Sequence, residues 1–168
     1  HGDTRLVRIA YAEGQTYVPL ARRAAALWLE ANARSGKPLF HQDGVLYAGP
    51  ASGTMITGVR RSAERWAIPL EERTEVPCAQ LPDGWSVLFE PEGGYARPEA
   101  AIAFFLREAG RGGADLRPNT PVTSLERSRG CWRISAAGQS VVADQVLIAA
   151  GGWAGRLRPR LAGLLSIE

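Results

Sequence analysis

The 168-residue chain has few of the residues that build covalent or metal-based frameworks. It contains two cysteines, two histidines and one lysine, Lys37. Cys78 and Cys131 lie far apart, in no C-x-x-C or zinc-type spacing, and are predicted to be free thiols in a reducing compartment. His1 and His41 form no ligand cluster, so we expect no metal site.

Long hydrophobic runs are also absent from the sequence. No apolar stretch approaches the ~20 residues that a transmembrane helix requires. Arg5, Arg8 and Glu13 interrupt the first apolar segment, so the start of the chain does not read as a signal peptide. We therefore expect no membrane association, and we predict a cytoplasmic protein.

The positive charge of the chain is almost entirely arginine, and the net charge is only +3. Arginine suits bidentate contacts with carboxylates and phosphates. The arginines are scattered among acidic residues, for example Arg65 beside Glu64 and Arg107 beside Glu108. A nucleic-acid-binding protein gathers its cations on one face, so we expect no nucleic-acid partner.

The chain begins at His1 without an initiator methionine, inside a charged motif that continues to Arg8. We interpret the sequence as an internal segment of a larger enzyme. Its composition, 45% hydrophobic and 22% charged, is ordinary for a globular protein.

Apolar residues at helical spacing predict helices that begin near Thr16 and at Pro98. The Asp43-Gly44 pair is typical of a hairpin turn. The predicted strands span residues 45–48, 85–90, 114–117, 122–127, 131–136, 139–142 and 145–150, the last as a strand buried on both faces. This order predicts a mixed α/β (α+β) fold with an inserted β-meander.

Two glycine clusters imitate a dinucleotide fingerprint. Residues 110–113 lie between a predicted helix and a predicted strand, the reverse of the required order, and are interpreted as a helix stop. Gly151 and Gly152 follow the last predicted strand and have two interpretations: close packing at a strand end, or backbone that approaches a cofactor. Glu90 and Glu92 flank a turn and are predicted to be structural.

Several segments, in collinear order, carry a resemblance to a known family. They are residues 1–8 (HGDTRLVR), 17–21 (YVPLA), 44–47 (GVLY), 89–95 (FEPEGGY), the predicted helix from Pro98, 119–122 (NTPV) and 147–153 (LIAAGGW). In this collinear order the chain resembles the monomeric sarcosine oxidase and N-methyltryptophan oxidase family, within the FAD-dependent amino-acid oxidase superfamily. The resemblance is weakest over residues 52–84.

The resemblance implies a partial glutathione-reductase-like FAD-binding domain, interleaved with part of an antiparallel-sheet substrate domain. Residues 1–43 then belong to the FAD domain and contain the loop that contacts flavin and substrate. Residues 44–90 belong to the substrate domain. Residues 91–168 return to the FAD domain with a helix, a strand, the β-meander and the buried strand.

The implied activity is oxidation of the C–N bond of a secondary-amine amino acid by O2, which yields an imine and H2O2. The implied cofactor is FAD, bound by the intact parent protein, and the implied partners are a small amino-acid substrate and O2. Sarcosine, a bulkier N-methyl amino acid and a cyclic imino acid remain alternative substrates.

The resemblance also implies roles for residues near the start of the chain. His1 and Arg5 resemble the catalytic pair beside the flavin ring, where a fixed guanidinium stabilises the anionic reduced flavin. Arg8 resembles the residue that binds the substrate carboxylate, a task that suits a bidentate charge-assisted contact.

Three further positions resemble cofactor-binding residues. Val122 resembles the position whose backbone meets the adenine part of FAD. Gly151 and Gly152 resemble the strand end that passes beside the cofactor, which favours the second of their two interpretations.

Other parts of the family pattern are absent from the sequence. The resemblance places a glycine fingerprint upstream, and a lysine that promotes oxygen reduction and a flavin-linking cysteine downstream. We therefore expect this chain alone to be inactive, to hold FAD weakly and to be prone to self-association through exposed apolar edges. The alternatives are a related flavin-dependent dehydrogenase or deaminase, and a non-catalytic remnant or binding module.

Overall fold

The computed structural model describes residues 2–77 and 79–162. The chain divides into two compact units, of which the first ends at Ala114 and the second begins at Asp115. The helices of the first unit are α1 (Val18–Ser35), α2 (Thr54–Trp66) and α3 (Pro98–Arg111), and its strands are β1 (Arg5–Val7), β2 (Phe40–His41), β3 (Val45–Pro50), β4 (Glu71–Arg73), β5 (Trp85–Glu90) and β6 (Gly94–Ala96). The second unit contains β7 (Val122–Ser128), β8 (Cys131–Ala136), β9 (Gln139–Ala143), α4 (Ala154–Leu157) and α5 (Pro159–Ala162).

Helix α1 confirms the first predicted helix. A proline occupies its first turn, where the missing N–H costs no hydrogen bond. Gly36 ends the helix with a φ of 69°, the left-handed conformation that glycine adopts readily. The buried residues Val18, Ala25 and Ala31 give the helix its inward face.

The first unit contains two antiparallel sheets, with strand orders β1-β6-β2 and β3-β5-β4. In the first sheet Leu6 is opposite Tyr95, and in the second Tyr47 is opposite Leu88. Strand β4 forms within residues 52–84, where the resemblance is weakest. The mixed α/β class is confirmed, with antiparallel sheets.

The predicted hairpin at Asp43-Gly44 is wrong, because the strands on either side of it belong to different sheets. Gly44 has a φ of 85°, and its N–H donates to the carbonyl of Gly93 at 3.0 Å. A Cβ atom on Gly44 would lie 2.1 Å from Cε2 of Phe89. The turn therefore needs glycine, but it passes the chain from one sheet to the next.

The larger hydrophobic core lies between α2 and the second sheet and includes Ile56, Val59 and Leu88, each 1% exposed or less. A second cluster of Ala31, Leu39 and Phe104 joins α1 to α3.

Strands β7, β8 and β9 form the predicted antiparallel meander. Its two turns place consecutive residues at positive φ: 51° and 87° at Arg129 and Gly130, and 48° and 77° at Ala137 and Gly138. Positive φ at both central residues matches the right-handed twist of a two-residue hairpin.

Two predicted strands do not form. Residues 114–117 and 145–150 pair with no strand in the part of the chain that the structure describes. Leu116 is 45% exposed and Leu147 is 91% exposed, so the strand predicted to be buried on both faces is neither a strand nor buried. An extended segment needs a neighbouring strand to satisfy its N–H and C=O groups. The division into domains at residues 43 and 90 stays a prediction.

Candidate functional site

Strand β1 carries the first of the predicted site residues. It pairs with β6 from Arg5 opposite Ala96 to Val7 opposite Gly94, and Arg8 follows directly. Arg5 is exposed, and its Nη1 donates to the backbone carbonyl of Thr4 at 2.9 Å. The predicted partner of Arg5, His1, lies outside the described residues.

Arg8 is the more enclosed of the two arginines, with a side chain that is 20% exposed. Its Nη2 donates to Oε1 of Glu13 at 2.5 Å. The guanidinium carbon lies 4.5 Å from the centroid of the Tyr11 ring, a distance that allows a cation–π contact. The Glu13 side chain is 61% exposed, so a carboxylate faces Arg8 from the solvent side.

Both members of this pair are charged at neutral pH. The hydrogen bond from Arg8 lowers the pKa of Glu13 below the ordinary carboxyl range. Partial burial disfavours the charge on Arg8, but the hydrogen bond and the attraction of Glu13 outweigh it and raise the pKa of Arg8.

A second carboxylate, Glu90, lies behind the segment that carries Arg8. It is fully buried at the end of β5. Its Oε1 accepts the N–H of Ile9 at 2.7 Å, and its Oε2 accepts the N–H of Ala10 at 3.0 Å. The hydroxyl of Tyr47 also donates to Oε2, at 2.6 Å. Burial and this hydrogen bond raise the pKa of Tyr47 well above its ordinary value, so the phenol stays a donor.

The turn after Glu90 depends on glycine because other backbone passes close to it. A Cβ atom on Gly93 would lie 2.7 Å from Cγ2 of Val45. A Cβ atom on Gly94 would lie 1.9 Å from the carbonyl oxygen of His41. The Pro-Glu-Gly-Gly turn thus brings β5 and β6 close to β2 and β3, with Glu90 at the centre.

From the sequence, Glu90 is predicted to be structural, and no role is predicted for Glu13 or Tyr47. The available signal for Glu90 was its position directly before the Pro-Glu-Gly-Gly turn. Nothing in the sequence indicated which backbone donors the carboxylate would bind.

A cavity of about 530 Å³ is lined by Glu13 but not by Arg8. Its polar lining also includes Gln15, Arg61 and Arg65. The side-chain oxygen of Gln15 accepts a hydrogen bond from Arg65 at 3.2 Å. Two arginines outnumber the single carboxylate, which Arg8 already neutralises. The cavity therefore favours small anionic molecules over cations.

The remaining predicted residues lie in the second unit. Val122 begins β7, is 38% exposed and lines a cavity of about 630 Å³ together with Ile134 and Val141. Gly151 has a φ of 51°, and a Cβ atom there would meet nothing within 4 Å. Gly152 is exposed. Asp115, Arg117, Thr120 and Gln139 also line the cavity at Val122, so its lining is mixed.

No group of three or more His, Cys, Asp or Glu side chains within residues 2–77 and 79–162 could hold a metal ion. No helix in that part of the chain is long and apolar enough to cross a membrane. Cys131 is a free thiol, and Cys78 lies outside the described residues.

Curated relatives of the chain include N-methyl-L-tryptophan oxidases. Those of Yersinia pestis (strain Pestoides F) and Yersinia pseudotuberculosis serotype O:1b (strain IP 31758) are each 35% identical over 167 residues. Each alignment covers 96% of this chain but 45% of the relative. The chain therefore spans less than half the length of these curated relatives.

Solved structures share the fold at lower identity. NikD, described as an unusual amino acid oxidase essential for nikkomycin biosynthesis, superposes in its open form with a TM-score of 0.83 at 22% identity, over 96% of this chain and 43% of NikD. L-proline dehydrogenase from P. horikoshii superposes with a TM-score of 0.78 at 20% identity, over 91% and 43% of the two chains. At such identities the likeness concerns the fold alone.

The family match extends over nearly the whole sequence. Residues 1–167 match the family described as DAO, FAD dependent oxidoreductase. The cofactor implied by the resemblance is therefore confirmed at the level of the family. The chain belongs to the DAO family of FAD-dependent oxidoreductases.

Proposed function

We propose that this chain is the part of an FAD-dependent amine oxidase that binds the carboxylate of an amino-acid substrate and contacts the flavin. The parent enzyme oxidises the C–N bond of a secondary-amine amino acid with O2, giving an imine and H2O2. The observation that carries this proposal is Arg8, a largely enclosed guanidinium that a carboxylate, Glu13, already contacts.

Arg8 has the chemistry for the substrate-binding role. A guanidinium binds a carboxylate through two parallel hydrogen bonds, which fixes both the position and the orientation of the ligand. The contact with the Tyr11 ring holds one face of the guanidinium, and its hydrogen-bonding edge remains available to an acid. A substrate carboxylate takes the position of the Glu13 carboxylate and leaves Glu13 to solvent.

Other residues are proposed to meet the cofactor. FAD, when bound, accepts the electrons of the C–N bond and passes them to O2. By resemblance, Arg5 and His1 would hold the flavin ring, where the positive charge of Arg5 would favour the reduced anionic form. Val122, Gly151 and Gly152 would hold the rest of FAD.

The substrate proposed here is a secondary-amine amino acid of the sarcosine type. The curated relatives are N-methyl-L-tryptophan oxidases, which makes N-methyl-L-tryptophan the first compound to test. Sarcosine and L-proline test the smaller and the cyclic alternatives.

We also propose that the 168-residue chain alone is inactive and binds FAD weakly. The chain spans 45% of its curated relatives. Neither of its glycine clusters lies between a strand and a long helix, the arrangement that binds a dinucleotide pyrophosphate. Flavin absorbance after gel filtration of the chain with excess FAD tests this, and a stoichiometric complex would contradict it.

The activity test uses the intact reading frame that carries this sequence, expressed and saturated with FAD. O2 consumption and H2O2 release are measured with each of the three amino acids. Arg8→Gln is expected to raise the KM for the substrate roughly 10- to 100-fold, because one charge-assisted contact is lost. Arg107→Gln, on the exposed face of α3, is the matched control and leaves KM unchanged.

The outcomes separate the alternatives. Turnover with a dye acceptor but without H2O2 would assign the parent to the flavin dehydrogenases. An FAD-saturated protein that oxidises none of the three compounds would contradict the proposal and favour a non-catalytic module.

A further inference from the structure

Glu90, a group that the proposed reaction does not use, is fully buried and forms no ion pair with an arginine or lysine in the described residues. Burial of a carboxylate is costly unless hydrogen bonds compensate it. Glu90 has three: the backbone N–H groups of Ile9 and Ala10, and the hydroxyl of Tyr47. A carboxylate can accept from all three donors, whereas an amide would place its NH2 group against at least one of them.

The backbone hydrogen bonds to Glu90 begin just after the pairing of β1 with β6 ends. The ladder between β1 and β6 ends with Val7 opposite Gly94. Strand pairing does not extend to Ile9 and Ala10, and their N–H groups go to Glu90 instead. Arg8 therefore lies between the last residue held by the sheet and the first residue held by the buried carboxylate.

Helix α2 contacts the backbone that follows Ala10. Ser62 on α2 donates its hydroxyl to the carbonyl of Tyr11 at 2.5 Å. Gly58, one turn earlier, approaches the same segment so closely that a Cβ atom there would lie 2.8 Å from the carbonyl oxygen of Ala12. Tyr11 also supplies the ring under the Arg8 guanidinium, so the segment presents the cation and its aromatic support together.

We propose that Glu90 is the positioning residue for Arg8, and that the Tyr47 hydroxyl orients the Glu90 carboxylate. This inference rests on the proposed function, since it assigns to Arg8 the binding of the substrate carboxylate. Glu90 contacts neither substrate nor flavin; it acts by fixing the backbone on the C-terminal side of Arg8. Loss of the carboxylate frees that backbone, and the guanidinium then meets its ligand at a variable position.

The test compares two substrates that differ only in the carboxylate: N-methyl-L-tryptophan and N-methyltryptamine. The ratio of their kcat/KM values is measured in the FAD-loaded enzyme from the intact reading frame. This ratio does not depend on the fraction of enzyme that is folded, so a purely structural defect leaves it unchanged. Glu90→Gln is expected to lower the ratio about 10-fold or more, because it weakens the Arg8 contact selectively.

Two further variants complete the design. Glu92→Gln, two residues along and in the same turn, is the matched control and keeps the wild-type ratio. Tyr47→Phe removes one of the three donors and leaves the carboxylate, so the ratio falls roughly 2- to 10-fold. Tyr47→Phe decides the question if Glu90→Gln yields no folded protein.

Arg8→Gln distinguishes a failure of this inference from a failure of the proposed function. A wild-type ratio near one, unchanged by Arg8→Gln, would overturn the proposed function. A high wild-type ratio that collapses in Arg8→Gln but persists in Glu90→Gln and Tyr47→Phe would overturn the positioning role alone. In the double variant Arg8→Gln with Glu90→Gln, we expect no fall of the ratio beyond that of Arg8→Gln.

Discussion

The Arg8 guanidinium contacts an aromatic face and a carboxylate at the same time, and the two contacts differ in strength. Glu13 is 61% exposed, so solvent screens its attraction to Arg8. Ion pairs of this kind contribute about 0–1 kcal/mol. A ligand carboxylate can therefore replace Glu13 at little cost, whereas the enclosed position of Arg8 over Tyr11 is retained.

The pKa of Glu13 gives this pair a defined pH dependence. The pKa is lowered in the folded chain, so the stabilisation is present above the ordinary carboxyl pKa and is lost as pH falls through the lowered value. Glu13→Gln is expected to lower the free energy of unfolding by less than about 1 kcal/mol at neutral pH and to have no effect at strongly acidic pH. Urea unfolding at both pH values measures the difference.

Glu64→Gln serves as the control for Glu13, since Glu64 is an exposed acid on α2 that forms no ion pair in the described part of the chain. It should change stability little at either pH. An equal loss for Glu13→Gln at neutral and acidic pH would assign the effect to packing of the side chain rather than to its charge.

The site residues differ in how far sequence alone could predict them. Arg8 was predicted because a short motif, continuous along the chain, resembles a known one. The role of Glu90 depends on donors 81, 80 and 43 residues away in sequence. Periodicity and short motifs describe neighbours within about 20 residues, so such a contact becomes visible only after the sheets are assembled.

At the scale of whole elements, a single side chain joins α1 to β2. The side-chain oxygen of Asn32 accepts the N–H groups of Leu39 at 2.7 Å and Phe40 at 3.0 Å. Its amide nitrogen donates to the carbonyl of Phe40 at 2.6 Å. Leu39 and Phe40 are 2% and 1% exposed, so water cannot replace these bonds without opening the core.

Asn32→Ala is expected to lower the free energy of unfolding by roughly 2–4 kcal/mol, because buried backbone donors lose their acceptor. Asn32→Asp keeps the acceptor for both N–H groups but places a carboxylate oxygen against the carbonyl of Phe40, so it should also destabilise the fold. Gln42→Ala, which removes one exposed side-chain hydrogen bond to Glu92, is the control. Chemical denaturation measures all three, and a loss for Asn32→Ala no larger than that for Gln42→Ala would refute the role.

Helices α1 and α3 and the meander were predicted from sequence because their signals are local: a proline at the start, a glycine at the end, and turn residues between alternating strands. The segments at 114–117 and 145–150 have strand-like composition, but no described strand pairs with them. Apolar composition predicts the capacity to join a sheet; a strand forms only where a neighbouring edge is available.

At the scale of the whole molecule, burial is uneven between the two units. Both hydrophobic clusters consist of residues of the first unit. In the described part of the second unit, Ala154 is the one buried hydrophobic residue, whereas Val142 is 60% exposed. A meander in which no described side chain is fully buried has little besides its own hydrogen bonds to oppose local opening.

Backbone amide hydrogens should therefore exchange faster in the second unit than in the core of the first. We expect backbone amides of β7, β8 and β9 to exchange at least about 10-fold faster than those of α2 and β5, because opening the meander exposes little additional apolar surface. Exchange followed by mass spectrometry, with peptides from each region, provides the comparison. Equal protection in both units would contradict it, and protection of the meander that increases with protein concentration would support the predicted self-association.

The contact between Glu90 and Ile9 also sets an order of events during synthesis. The donors are made first, and the acceptor follows 81 residues later. At ribosomal rates of about 5–20 residues per second, the segment containing Arg8 waits roughly 4–16 seconds for its buried carboxylate. During that interval the strand that precedes Arg8 also lacks β6, its partner in the sheet. The segment around Arg8 is thus synthesised before the two elements that fix it, β5 with Glu90 and β6.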